Sequence, residues 1–223
     1  MSTIAKRLAK FLALTVVSVG LIGSVAQSEA SAMNPPQTTL TGTVNLMYWD
    51  LDYFWRWVLN DARYVSPTVD YYTATTYKAT CGGQIADYTI MAYCSYGQRP
   101  EIWIHSGVNQ DKINRLGDNA AGFFLAHEWG HHVANVLGLS NSFRSVRGRE
   151  LYADCMAGVF TKWEYNRGRL DAHDYWEGVW SIDDRFPNEG GANGYPLKAD
   201  RKAWYEWGFT SYNLANCAKA ISQ

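Results

Sequence analysis

His127 and His131 stand four residues apart, with Glu128 directly after the first, in the run AHEWGHH that begins at Ala126. On an α-helix, at roughly 100° per residue, the two imidazoles lie about 40° apart on one face and one turn apart, so both can reach a single ion. Glu128 is rotated about 100° from His127 and flanks the pair. Two nitrogen donors with an acid beside them is the arrangement of a hydrolytic zinc centre, in which the acid serves as base toward a metal-bound water. The competing reading is a pair of core histidines hydrogen-bonded to backbone or carboxylates. A third ligand separates the two.

The segment RGRELYADCMAG supplies a candidate, with Glu150 following His131 by 19 positions and Asp154 one turn beyond Glu150. Two histidines and a distant glutamate leave a fourth position open, as catalytic zinc sites do. Asp154 shares a face with Glu150 and can accept a hydrogen bond from the outer nitrogen of a ligand histidine, which fixes that ring's tautomer. Ala157 continues the face and is small enough for close helix packing. Cys155 lies about 140° from Glu150 around the helix, so a zinc sphere using both is disfavoured.

The elements that must hold these residues are readable in outline. DNAAGFFLAHEWGHHVANVLG opens with Asp118 as an N-cap candidate, closes at Gly138 as a C′ candidate, and is apolar nearly all round, which predicts a buried central helix. A second helix is expected through RGRELYADCMAG. DLDYFWRWVLNDA, from Asp50 to Ala62, carries Leu51, Phe54, Trp55 and Val58 at helical spacing and predicts an amphipathic helix. TVDYYTATTY and EIWIHSG are β-branched and aromatic and predict short strands. The fold class expected is α+β.

Length and composition bound the rest. The chain has 223 residues, 47% hydrophobic and 18% charged, enough for one well-buried core and short for two. Lys6, Arg7 and Lys10 precede an apolar run from Phe11 to Val25, and Ala30, Ser31 and Ala32 form a small-x-small cleavage site. Residues 1–32 therefore read as a signal peptide and residues 33–223 as a single exported domain, with no stable membrane anchor after cleavage. Residues Asn34 to Gly42 are turn-rich and read as an ordered tail or a removable pro-segment. A formal charge of −1, with three of the 20 cations inside the leader, excludes a basic nucleic-acid-binding face. Four cysteines, Cys81, Cys94, Cys155 and Cys217, suit two disulfides in an oxidising compartment. Three pairings are possible. The turn-rich stretch between Cys81 and Cys94 favours joining those two and leaving Cys155 to reach Cys217.

HEWGHH followed by ELYADCMAG resembles the family called putative neutral zinc metallopeptidases, and more broadly the gluzincin clan of zinc proteases. The likeness extends to the CGG…YC stretch at Cys81 to Cys94 and to GRLDAHD, SIDD and WGF…NC near the C-terminus. It implies a zincin-like fold, with a small sheet against the central helix and a largely helical C-terminal half. It also implies one zinc ion held by His127, His131 and Glu150, with Glu128 as catalytic base and a protein or peptide as substrate. Two departures stand out: Ser95 follows the second cysteine where the family has proline, and Asn193-Gly194 represents its His-Gly element. In zincin-like folds an edge strand beside the active-site helix pairs with an extended peptide, and EIWIHSG is the candidate, with an ordinary sheet strand as the alternative.

Several residues carry weaker signals. His105, Tyr152, His173 and Tyr195 are candidate donors to the oxyanion, each more simply read as structural or surface. His132 lies about 100° from His131 and reads as a neighbour. Asp171, Asp174, Asp183 and Asp184 lack a calcium-loop pattern and read as a solvated acidic face. EGGANG, with Gly190, Gly191 and Gly194, reads as a connector. Ten tryptophans and 15 tyrosines keep a different class in view: a cell-wall or carbohydrate-binding module with structural zinc, or a cell-wall amidase.

Overall fold

Apolar residues at helical spacing begin earlier than Asp50, and the first helix, α1 (Leu40–Leu59), takes in Leu40, Val44 and Met47 as well as Leu51, Phe54 and Trp55 on its buried side. Thr39 caps it by accepting from the Gly42 N–H, and Asn60 ends it in the left-handed region at φ 41°. Much of the expected tail is thus ordered. The computed structural model describes residues 37–73, 80–81, 84–85, 90–95, 99–186 and 194–223. The leader, Gly190, Gly191 and Asn193 lie outside the described residues.

Strand β1 (Thr68–Tyr72) is followed by the two-residue strands β2 (Thr80–Cys81) and β3 (Gln84–Ile85), then by β4 (Met91–Cys94) and β5 (Glu101–His105). The three-stranded sheet has the order β1-β5-β4, with β1 parallel and β4 antiparallel to β5, and β2 pairs with β3 in a separate ribbon. EIWIHSG is therefore not an edge strand. It is the central one, paired on both sides and buried at Ile102, Trp103 and Ile104, which is why it is so apolar. Its last two residues leave the sheet: His105 caps helix α2 (Ser106–Leu116) by accepting from the Val108 N–H. The described edge facing the helices is β4, inside the loop closed by the Cys81–Cys94 disulfide.

Helix α3 (Asn119–Val136) is buried along nearly its whole length. It ends as expected at Gly138, with φ 70°, where Gly138 N–H donates to Asn135 and Leu139 N–H to Ala134. Its start differs. Asp118 makes no side-chain cap bond; its Oδ2 accepts from the Gln37 N–H, and Glu177 Oε2 accepts from the Asn119 N–H at 2.8 Å. Glu177 reaches there because helix α5 (Ala172–Arg185) packs on α3. Between them runs α4 (Val146–Asn166), capped by Ser145. Helix α6 (Lys198–Ser211), the short α7 (Leu214–Cys217) and a 3₁₀ turn (Ala218–Ser222) complete the chain. Among the described residues one buried cluster runs from Leu40 to Ala220 and takes in residues of the sheet and of helices α1 to α6. The described chain is α+β.

The cysteines pair as Cys81–Cys94 and Cys155–Cys217. The second bond fastens α7 to α4 on the side of α4 turned away from Glu150. The acidic residues of α5 divide: Asp174 is buried, whereas Asp183 and Asp184 are partly solvated and ion-paired. Asp171 and Asp174 make a capping box, Asp183 pairs with Lys202, and Asp184 pairs with Lys112 and Arg115. The aromatics divide: Trp55, Trp103 and Trp129 are core, whereas Trp49, Trp57 and Trp176 are exposed.

Helices α3 and α4 pack closely at Gly130, where an added Cβ would stand 2.9 Å from Ala153 Cα and 3.2 Å from Met156 Cβ. An alanine in a helix interior ordinarily stabilises by up to about 1 kcal/mol over glycine. Here the added methyl meets backbone, and overpacking costs about 1–3 kcal/mol. We expect Gly130→Ala to lower the urea midpoint with little change in slope; a raised midpoint would contradict the packing described.

Candidate metal centre

Three helices and one strand deliver the polar residues to a single place. One turn of α3 carries His127 and His131 on the same face, and their rings meet at 88° with centroids 4.8 Å apart. From α4, Glu150 stands with Oε2 3.4 Å from His127 Nε2 and Oε1 3.6 Å from His131 Nε2. The three side chains offer ligand atoms that all lie within 4.8 Å of one another. Ligand atoms on a tetrahedral zinc ion with bonds near 2.0–2.1 Å are separated by about 3.3 Å, so the observed spacing fits such an ion.

The donor set also fits by charge. Glu128, Glu150 and Asp154 are all buried, and the one buried guanidinium among them is Arg201. With both ligand histidines neutral, this leaves two negative charges in excess, the complement of one divalent cation. No cysteine competes, since Cys155 is bonded to Cys217.

Asp154 occupies the position expected for it. Its Oδ1 lies 2.8 Å from His127 Nδ1, which directs the ring's Nε2 toward Glu150. Arg201 is the residue that sequence reasoning missed. Its Nη1 donates to both Asp154 oxygens at 3.0 and 3.1 Å and its Nη2 to Glu150 Oε2 at 3.0 Å, while its guanidinium lies 3.9 Å over the Phe186 ring. One signal was available: Arg201, Tyr205 and Gly208 follow helical spacing and share the buried face of α6.

Glu128 is held by the sheet. Its Oε2 accepts from the Tyr93 N–H of β4 at 2.8 Å, and its Oε1 has no protein partner among the described residues. Tyr93 OH lies 3.1 Å from His132 Nδ1, so His132 is a neighbour of the centre and stands outside the close group of His127, His131 and Glu150. Of the four proposed oxyanion donors, only Tyr195 lines the cleft. His105 caps α2, Tyr152 is buried against Phe143, and His173 pairs with Glu177. A second close group, Asp118, Asp174 and Glu177, is engaged at the starts of α3 and α5.

Burial and charge set the titration of the protein's own groups. Burial lifts Glu128 to about 7 against the pull of His127. Burial alone would lower His127, but the Asp154 carboxylate, with Glu150 and Glu128 near, lifts it to about 10. Burial dominates for His131, which falls to about 3. Burial opposes ionisation of Glu150, yet His131, His127 and Arg201 hold it below the usual carboxylate range. The cleft over these groups has a volume of about 680 Å³, with Ile90, Met91, Phe124 and Phe186 on its apolar side.

Replacing Asp154 by asparagine keeps the shape but removes the acceptor's charge. We expect zinc affinity, measured by chelator competition, to fall by roughly 10- to 100-fold. An unchanged affinity would remove Asp154 from the support of His127.

Residues 21–220 match the family described as "Putative neutral zinc metallopeptidase". The chain is also 30% identical over 131 residues to the protein named "Uncharacterized protein YpfJ" in Escherichia coli strain K12, and equally to that of strain O6:H1. The aligned part is 48% of this chain and 46% of each relative, so the chain spans about half the length of the curated relatives it matches. No solved structure matches it. Since the family match runs through nearly the whole chain and takes in every side chain that converges on this cleft, the chain belongs to the family described as "Putative neutral zinc metallopeptidase".

Proposed function

We propose that the chain is an exported zinc endopeptidase whose mature form is a single domain, residues 33–223, with one zinc ion and protein or peptide substrates. The observation that carries this reading is the convergence of His127, His131 and Glu150 at one point of an open cleft with Glu128 alongside. Zinc held by those three residues would lower the pKa of water toward about 7 and polarise the scissile carbonyl.

The protein's own residues do the rest. Asp154 keeps the His127 Nε2 lone pair available, and Arg201 holds Asp154 and Glu150 in register. Glu128, anchored through Oε2 by the Tyr93 N–H, has Oε1 to take the proton of the attacking water as the new C–O bond forms. The same oxygen then passes that proton to the amine nitrogen as the C–N bond breaks.

Substrate alignment follows from β4. His105 N–H donates to Ile90 C=O on the side of β5, so the alternation of an antiparallel ladder turns the backbone of Met91 and Tyr93 toward the outer edge. An extended peptide can add there as a further strand. Tyr195, across the cleft, is the candidate donor to the oxyanion. Two disulfides support export, and among the described residues no helix is long and apolar enough to cross a membrane.

Glu128→Gln preserves shape and leaves the ligand set untouched. We expect about one zinc per chain in both proteins and a loss of casein cleavage of about 10²- to 10⁴-fold in the variant. Zinc bound to a parent protein that leaves casein intact but releases fragments from cell-wall polymer would favour an amidase.

A further inference from the structure

Among the described residues three arginines line the cleft: Arg149, Arg185 and Arg201. Two are committed. Arg201 is buried on Asp154 and Glu150, and Arg149 Nε stands 3.6 Å from Glu150 Oε1. Arg185, in the last turn of α5, is exposed, and its side chain has no ion pair or hydrogen bond among the described residues. Its own helix offers none to take: Asp183 is held by Lys202 at 3.1 Å, and Asp184 by Lys112 at 2.6 Å and Arg115 at 2.8 Å. The helix dipole favours a cation at this end but engages none of the five guanidinium donors.

Arg185 thus presents a fork of N–H donors to a cleft whose adjoining wall, Phe124 and Phe186, is apolar. An ion pair beside such a wall is less screened than one on open surface, and a guanidinium fork matches a carboxylate with two parallel bonds. Among the described residues Glu128 and Glu150 are the cleft's own carboxylates. Glu150 is bound to Arg201, and Glu128 is anchored to the Tyr93 N–H.

Resting on the reading of this cleft as a peptidase site, we infer that Arg185 is its specificity-determining residue and binds a carboxylate of the substrate. The carboxylate is an acidic side chain or the free C-terminus of a peptide. The enzyme therefore prefers peptides that place a negative charge on the α5 side of the cleft.

The test measures equilibrium binding of labelled peptides to zinc-loaded Glu128→Gln protein, so that the peptides survive. One set varies Glu, Gln and Lys at each position, and a second compares free-acid with amide C-termini. We expect roughly three- to tenfold tighter binding of the acidic member, weakened by salt. The preference should approach one in Arg185→Gln and reverse toward lysine in Arg185→Glu, with circular dichroism confirming that each variant folds. A preference confined to one position identifies a side chain as the source; one that follows acid against amide identifies the C-terminus. Equal binding of all members, or an acidic preference that persists in Arg185→Glu, overturns the inference. If the parent protein cleaves these peptides without charge preference, only this inference fails. If they bind with an Arg185-dependent preference and are never cleaved, only the peptidase reading fails. Absence of binding by any peptide counts against both.

Discussion

Asp154 is fully buried; its Oδ1 is shared by the imidazole of His127 and the guanidinium of Arg201, and its Oδ2 accepts from Arg201 as well. This one carboxylate ties α3, α4 and α6 together at the point where the ligand atoms converge. Removing one partner of a buried ion pair strands the other and costs about 3–5 kcal/mol, so the three helices are held in one register by electrostatics as well as by shape. The Gly130–Ala153 approach allows that register, since a bulkier contact would push α4, and Glu150 with it, away from the histidines.

The chain tolerates this concentration of buried charge because each group is given a defined partner. Glu150 has Arg201 on one side and two histidine nitrogens on the other; Glu128 has the Tyr93 backbone. The sheet, small as it is, contributes more than a wall. Its β4 edge fixes Glu128 with one N–H and turns the neighbouring backbone outward, so on the proposed reading base and substrate would be positioned by the same four residues.

Much of the centre was legible in the sequence because helical periodicity converts spacing into geometry. His127, His131, Glu150 and Asp154 all lie within two helices whose phases can be counted, and the Cys81–Cys94 and Cys155–Cys217 bonds followed from a turn-rich loop and its remainder. What escaped depends on contacts between distant segments. Arg201 meets Asp154 across 47 residues, and no local pattern announces that pairing. Helix α3 takes its first cap from Glu177, 58 residues beyond Asn119, in place of the adjacent Asp118. β5 was legible as a strand, but its place in the sheet was not, because β4 is four residues long inside a turn-rich loop and offers too short a run to read. The solvated character of Asp183 and Asp184 was legible, but their partners Lys112, Arg115 and Lys202 were not, because those sit on other helices.

The central claim is that His127, His131 and Glu150 hold the metal, and X-ray absorption at the zinc edge of the zinc-loaded protein tests it most directly. The account predicts nitrogen and oxygen neighbours only, at about 2.0–2.1 Å, with the outer-shell scattering of two imidazoles and its reduction to one in His131→Ala. Sulfur scattering at about 2.3 Å, or a spectrum unchanged in that variant, would contradict it.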